Sequence, residues 1–333
     1  MLKYYFVSRM SNRKKILITG ESGFIGSHLM VFFTNKYPDY ELHGLDNLTY
    51  ASNRNYTQKL ELDTNYQFHQ LDICDREGIN KLFKKYKFTD VIHLAAESHV
   101  DNSINNPGLF VQTNVLGTAN LLDAFNAYSS GRFHHVSTDE VYGDLNLDDP
   151  LFHEESPYRP SSPYSASKAS SDHLVRAYHR TYDIDVVITN CSNNYGPHQH
   201  KEKFIPTIIC SIFNQERIPV YGDGLNVRDW LYVHDHVTAL DLVFHGGNNG
   251  ETYNIGSNNE LSNIQLVHVI CDIMKEKGFK DPRSLIEFVD DRLGHDKRYA
   301  IDSDKLKKAL HWQPVFEFDK ALSTTIDWYV DHI

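Results

Sequence analysis

Cysteine is scarce in this chain. Cys74, Cys191, Cys210 and Cys271 are the four among 333 residues, far apart and without a Cys-x-x-Cys pair. That spacing argues against a disulfide framework and reads as reduced, mostly buried thiols of a cytoplasmic protein. An excess of positive charge is also absent: 33 Lys and Arg against 44 Asp and Glu leave a net charge of -11, opposite to the basic face of a nucleic-acid binder. An anionic substrate is still allowed, because local Lys, Arg and helix N-termini bind phosphate whatever the total charge. No apolar run approaches the ~20 residues that span a bilayer, so no membrane association is expected. Residues 1–14 lack the long apolar stretch and small-residue cleavage site of a secretory leader; they read as a short extension ahead of the first strand. The 19 histidines include no His-Glu-x-x-His or similar spacing, and no metal site is expected. The pair His134-His135 lies in a strand pattern and reads as packing.

What remains is a globular composition, 41% hydrophobic and 12% aromatic. Its first half alternates strands with helices. Strands read at 15–19, 41–46, 67–71, 91–95, 133–137 and 186–191, and helices at 24–35, 76–86, 114–128 and 164–182. Alternation of this kind implies right-handed crossovers and a doubly wound parallel sheet of Rossmann type, the α/β class. Beyond about Asn194 shorter elements alternate with Gly, Pro and Asn-rich loops. The expected division is residues 15–194 for a dinucleotide-binding domain with the catalytic residues. Residues 195–333 form a smaller substrate lobe, partly interleaved with the main sheet.

Gly20-Glu21-Ser22-Gly23-Phe24-Ile25-Gly26 follows the first strand and opens a helix. Glycines there let the backbone turn tightly and approach a pyrophosphate, which sits on the helix N-terminus. Asp46 ends the second strand, where a carboxylate accepts from a ribose diol and repels a 2′-phosphate; NAD is favoured over NADP. The G-x-x-G-x-x-G spacing, with Leu94-Ala95-Ala96-Glu97-Ser98 further on, resembles the extended short-chain dehydrogenases/reductases. That resemblance implies NAD contacts from Phe24, Ile25, Asn47, Leu48, Leu94, Ala95, Ala96, Ser137 and Asn194. It also implies Asp72 and Ile73 at the adenine and Thr113 near the nicotinamide half.

Tyr164-Ser165-Ala166-Ser167-Lys168 places a phenol and an ammonium on one helix face. A phenol of pKa about 10 must drop by roughly three units, about 4 kcal/mol, to act as a base near neutrality. One positive charge at ~4 Å and an effective dielectric of ~20 supplies that order of energy. Ser137-Thr138-Asp139-Glu140 follows a strand, at the edge where open α/β sheets bind ligands. Two adjacent acids alone read equally well as a solvated turn. Beside Tyr164 and Lys168 they imply proton traffic at a neighbouring carbon, as in an elimination.

Within the family, the nucleotide-sugar 4,6-dehydratases are the closest match. The resemblance rests on Ser137-Thr138-Asp139-Glu140-Val141-Tyr142-Gly143, the Tyr164–Lys168 helix, Ala96–Asp101, Ser192–Pro197, Glu202–Pro206, Arg228-Asp229-Trp230 and Asp291–Asp296. It implies a dTDP-glucose substrate, a homodimer with helices 107–128 and 164–182 at the interface, and catalysis by Thr138, Asp139, Glu140, Tyr164 and Lys168. It further implies sugar or phosphate contacts from Ser98, Thr138 and Asn193. A nucleotide pocket would be lined by Lys203, Phe204, Pro219, Val220, Tyr221, Arg228, Asn263, Arg292 and His295. Glu21, Asn102 and Leu293 stand where the family commonly has Gly, Arg and Pro. The alternatives are a UDP-glucose 4,6-dehydratase, a nucleotide-sugar 4-epimerase, which has no need of Asp139-Glu140, and a silent nucleotide-sugar-binding protein.

Overall fold

A computed structural model describes residues 14–333; the expected extension lies almost wholly outside the described residues. The chain runs β1 (Lys15–Thr19), α1 (Phe24–Lys36), β2 (Glu41–Asp46), β3 (Tyr66–Gln70), α2 (Arg76–Tyr86), β4 (Asp90–His93), α3 (Val100–Asn105), α4 (Pro107–Phe110), a π-helical turn (Val111–Gly117), α5 (Thr118–Tyr128), β5 (Arg132–Thr138), α6 (Pro163–Tyr182) and β6 (Asp185–Cys191). It continues through β7 (Asn193–Tyr195), α7 (Phe204–Asn214), β8 (Ile218–Tyr221), β9 (Val227–Tyr232), α8 (Val233–Gly246), β10 (Thr252–Ile255), β11 (Glu260–Ser262), α9 (Asn263–Glu276), β12 (Ile286–Val289), β13 (Arg298–Tyr299), α10 (Asp304–Leu310) and α11 (Phe318–His332).

Seven strands form one sheet in the order β10-β6-β5-β4-β1-β2-β3, and every pairing is parallel. The order reverses between β1 and β4, and ligands of doubly wound sheets bind at the strand ends over that switch point. Period-2 alternation covers both faces. Ile16 and Ile18 pack with Leu29 and Phe33 of α1 and Leu240 of α8. Leu17, between them, packs on the opposite side with Phe83 of α2, Leu121 of α5 and Val175 of α6. The smaller lobe has its own core, built from α7, α9 and α11 around Trp230.

Several boundaries differ from the sequence reading for local reasons. β4 stops at His93, because the Ala95 N–H turns to the Thr19 hydroxyl at 3.2 Å instead of a strand carbonyl. The helix expected over 114–128 starts as a π-helical turn, which buries Asn114. Its amide accepts from Glu97 N at 2.8 Å and donates to Ser167 Oγ at 2.8 Å. α6 begins at Pro163, pre-set for a first helical turn, with Ser162 and Ser165 in a reciprocal capping box. Beyond residue 194, where interleaving with the main sheet was expected, β10 pairs with β6 as an edge of that sheet.

Ile18 is fully buried at the centre of this sheet. Ile18→Ala is expected to cost roughly 2–5 kcal/mol of folding stability. A denaturant midpoint shift at constant slope measures it.

Candidate active site

A cavity of about 400 Å³ opens over the switch point. It gathers the ends of β1, β2, β4, β5 and β6 with the start of α6 and the segment before α7. Of the residues singled out from sequence, Gly20, Gly23, Phe24, Ile25, Gly26, Asp46, Asn47, Asp72, Ile73, Leu94, Ala95, Ala96, Ser98, Thr113, Ser137, Thr138, Asp139, Glu140, Tyr164, Lys168, Asn193, Asn194 and Lys203 line it together.

Its glycine turn is shaped for close backbone approach. Gly20 has φ +72°, and a Cβ on Gly26 would lie 2.1 Å from the Gly20 carbonyl oxygen. No side chain caps α1 and its first turn holds no acid, so its free N–H groups suit an anion. Asp46 is nearly sealed. Its Oδ1 accepts from Leu48 N at 2.8 Å and Ser52 Oγ at 2.7 Å, and its Oδ2 accepts from Ser22 N at 3.0 Å. With about four acceptor positions per carboxylate, this leaves one for a ribose hydroxyl. Buried polar atoms of Ser137, Asp139, Ser192 and Asn193 have no partner, and all four residues line the cavity. A dinucleotide fits this cradle.

β5 and α6 carry the reactive groups. Lys168 Nζ donates to the Val136 carbonyl at 2.9 Å, tying the helix to the strand end. Tyr164 hydrogen-bonds Thr138, yet burial, and after it Glu140, hold the phenol well above its ordinary range. The sequence expectation assigns the lowering of this phenol to the Lys168 ammonium together with a positively charged nicotinamide ring; among the protein's own groups, burial and the nearby carboxylate keep it raised. Asp139 is 2% exposed; burial first, then Glu140 and Asp229, push it well above the carboxylate range. Burial also raises Glu140, but Arg292, Arg228 and Lys203 oppose that rise. Both carboxyls are therefore raised, Asp139 well above its ordinary range and Glu140 against the opposition of three cations.

The remaining site calls fall outside the cavity. Val220 is fully buried in the small-lobe core, so its side chain does not line a pocket; Pro219 and Tyr221 alternate to the other side of β8. Phe204 packs against that core, with its ring 6.5 Å from Trp230. Arg228 is held over the Tyr299 ring at 4.2 Å and donates to the Asp296 carbonyl at 2.9 Å. His295 pairs with Asp291 at 2.6 Å, Arg292 faces Asp101 at 3.9 Å, and Asn263 opens α9. Leu48, with φ +58°, contributes its N–H to Asp46 rather than a cavity wall. The cavity adds residues that the sequence did not single out, among them Ser52, Glu97, Cys191, Gln199 and Glu202. Cys191 was accessible to reasoning, since it ends β6 beside the other strand ends. Ser52 carried no signal before the turn after β2 was known.

Fold and site together define a dinucleotide-dependent enzyme of the extended short-chain dehydrogenase/reductase class. The site adds an acid pair to the hydride-transfer machinery. Residues 17–325 match the family model described as GDP-mannose 4,6 dehydratase. The dTDP-glucose 4,6-dehydratase of Neisseria meningitidis serogroup B is 48% identical, over 96% of this chain and 94% of that protein. The Haemophilus influenzae enzyme of the same name is 48% identical over 95% and 97%. A crystal structure of dTDP-glucose 4,6-dehydratase from Streptomyces venezuelae, with NAD and TYD bound, superposes with TM-score 0.90 at 42% identity, covering 95% of this chain and 97% of that one. A UDP-glucose 4-epimerase from Thermotoga maritima shares the fold at TM-score 0.86 and 27% identity, covering 96% and 99%. The chain belongs to the dTDP-glucose 4,6-dehydratase family of NAD-dependent hydro-lyases.

The glycine cradle yields a direct test. Gly26→Ala forces its methyl group against the Gly20 carbonyl, and NAD affinity is expected to fall at least about tenfold, or 1.4 kcal/mol. Titration calorimetry on cofactor-stripped protein measures the change.

Proposed function

We propose that the chain converts dTDP-glucose into dTDP-4-keto-6-deoxyglucose and water, with the residue roles that follow. The observation that carries this reading is the unequal pair Asp139 and Glu140 at the end of β5, beside Tyr164 and Lys168. NAD held in the glycine cradle accepts hydride from the sugar C4 and returns it to C6. Tyr164, hydrogen-bonded to Thr138, takes the proton of the C4 hydroxyl, and the Lys168 ammonium favours the phenolate that does so. The C4 ketone acidifies the neighbouring C5–H bond. Glu140, drawn toward its ionised form by three cations, removes that proton as general base. Asp139, kept protonated by burial, donates its proton to the departing C6 hydroxyl as general acid. Two carboxyls in unlike environments, one opposed by three cations and one raised further by its neighbouring carboxylates, suit such a division. Glu140 then returns a proton to C5.

Arg228 and Arg292 suit the diphosphate, since planar guanidinium groups bind such oxygens in pairs. Ser98, Asn193 and Lys203, in the cavity, suit the sugar and its phosphates. A homodimer through segments 107–128 and 164–182 is supported by exposed apolar side chains there: Leu116, in the π-helical turn before α5, is 57% and Tyr182, at the end of α6, 53% exposed. Four unpaired cysteines fit a reducing, cytoplasmic setting. Among the described residues no helix is long and apolar enough to cross a membrane.

Glu140→Gln keeps the shape and loses the base. On adding dTDP-glucose, absorbance of the reduced nicotinamide is expected to rise and persist. The product, lighter than the substrate by one water, should form at least about a hundredfold more slowly, the range of general-base catalysis. Prompt formation of that product by the variant contradicts the assignment.

A further inference from the structure

Below the reacting groups, α6 carries two residues that the mechanism above does not use, the buried Asp172 and the part-buried Arg176. With Tyr164 and Lys168 they recur every four residues, and residues so spaced lie along one stripe of a helix. Asp172 is fully buried. An isolated carboxylate in such a place is costly; His135 Nε2 of β5 approaches its Oδ1 to 3.1 Å. The Tyr158 hydroxyl donates to Oδ2 at 2.8 Å. Arg176 in turn donates to the Tyr158 hydroxyl at 2.8 Å.

We propose that Asp172 is a positioning residue for C4 oxidation: buried one helical turn from Lys168 on the same stripe, its carboxylate favours the ammonium that lies one turn from Tyr164. The inference rests on the roles given above to Tyr164 and Lys168. The surroundings of the ammonium single out Asp172. From β4, His93 faces it as a buried imidazole held well below its ordinary range, hence neutral. His135, from β5, is drawn down to about 4 by burial and by Lys168 itself. Cys191, from β6, is pushed up to about 12 by burial and stays a thiol. Burial pushes Asp139 well above the carboxylate range. Arg176 adds positive charge on the far side of the carboxylate. Burial works against the charge on Lys168, and Asp172 is the largest influence opposing it.

The sign follows. A carboxylate favours the neighbouring ammonium, so its removal lets Lys168 lose its proton at lower pH. In an Asp172→Asn enzyme carrying Glu140→Gln, the rate of nicotinamide reduction by dTDP-glucose is read by rapid mixing from neutral to alkaline pH. The alkaline limb is expected about one unit lower than in Glu140→Gln alone, and Asp172→Glu should restore it. Tyr158→Phe, which removes one hydrogen bond and no charge, should move the limb the same way by less, and serves where Asp172→Asn fails to fold. A purely structural role lowers the amplitude and leaves the limb in place; an unmoved limb in the folded variants overturns the proposal. Failure of the underlying reading is a separate result: Tyr164→Phe would then still reduce the nicotinamide.

Discussion

The hydrogen bond from Lys168 Nζ to the Val136 carbonyl joins two pieces of chain that sequence separates. α6 brings the phenol and the ammonium; β5 brings Thr138 and the two acids. If the strand end and the helix were not fixed to each other, Tyr164 would not meet Thr138 and Glu140 would not act on the carbon next to the one being oxidised. The helix is fixed at its start as well, by the Ser162–Ser165 capping box and by the Asn114 amide bonded to Ser167. Reacting groups gain most from such fixing, since small misplacements cost large factors in rate.

Burial supplies the second half of the chemistry. In water, Asp139 and Glu140 would both ionise. Inside the cavity burial raises both, Asp139 well above the carboxylate range and Glu140 against the pull of Arg228, Arg292 and Lys203. The proposed division into acid and base rests on that difference in surroundings. The same protein environment works against Tyr164, whose phenol it raises. In the proposed mechanism the Lys168 ammonium and the positive charge that bound NAD would supply oppose that rise.

Much of this was legible in the sequence because it is local. The glycine turn, Asp46 at a strand end, the Tyr164/Lys168 spacing and the acid pair each depend on a few neighbouring residues and a strand or helix around them. What was not legible depends on distant contacts. Asn114 becomes a brace only when the π-helical turn brings it to Glu97 and Ser167. Ser52 reaches Asp46 through a turn that leaves Leu48 in a left-handed conformation. β10 finds β6 some sixty residues along the chain, which no local pattern announces. Val220 is a different case: alternation along Ile218–Tyr221 already placed it on the same face as Ile218, toward the core, and the family resemblance overrode that signal.

The central claim is that hydride leaves C4 and returns to C6 of the same sugar, while the proton removed by Glu140 exchanges with water. dTDP-glucose carrying deuterium at both C4 and C5, turned over in ordinary water and analysed by NMR, tests both halves in one measurement. The account predicts product with deuterium at C6 and solvent hydrogen at C5. Deuterium returned to C4, with no water lost, would contradict it and make the enzyme an epimerase.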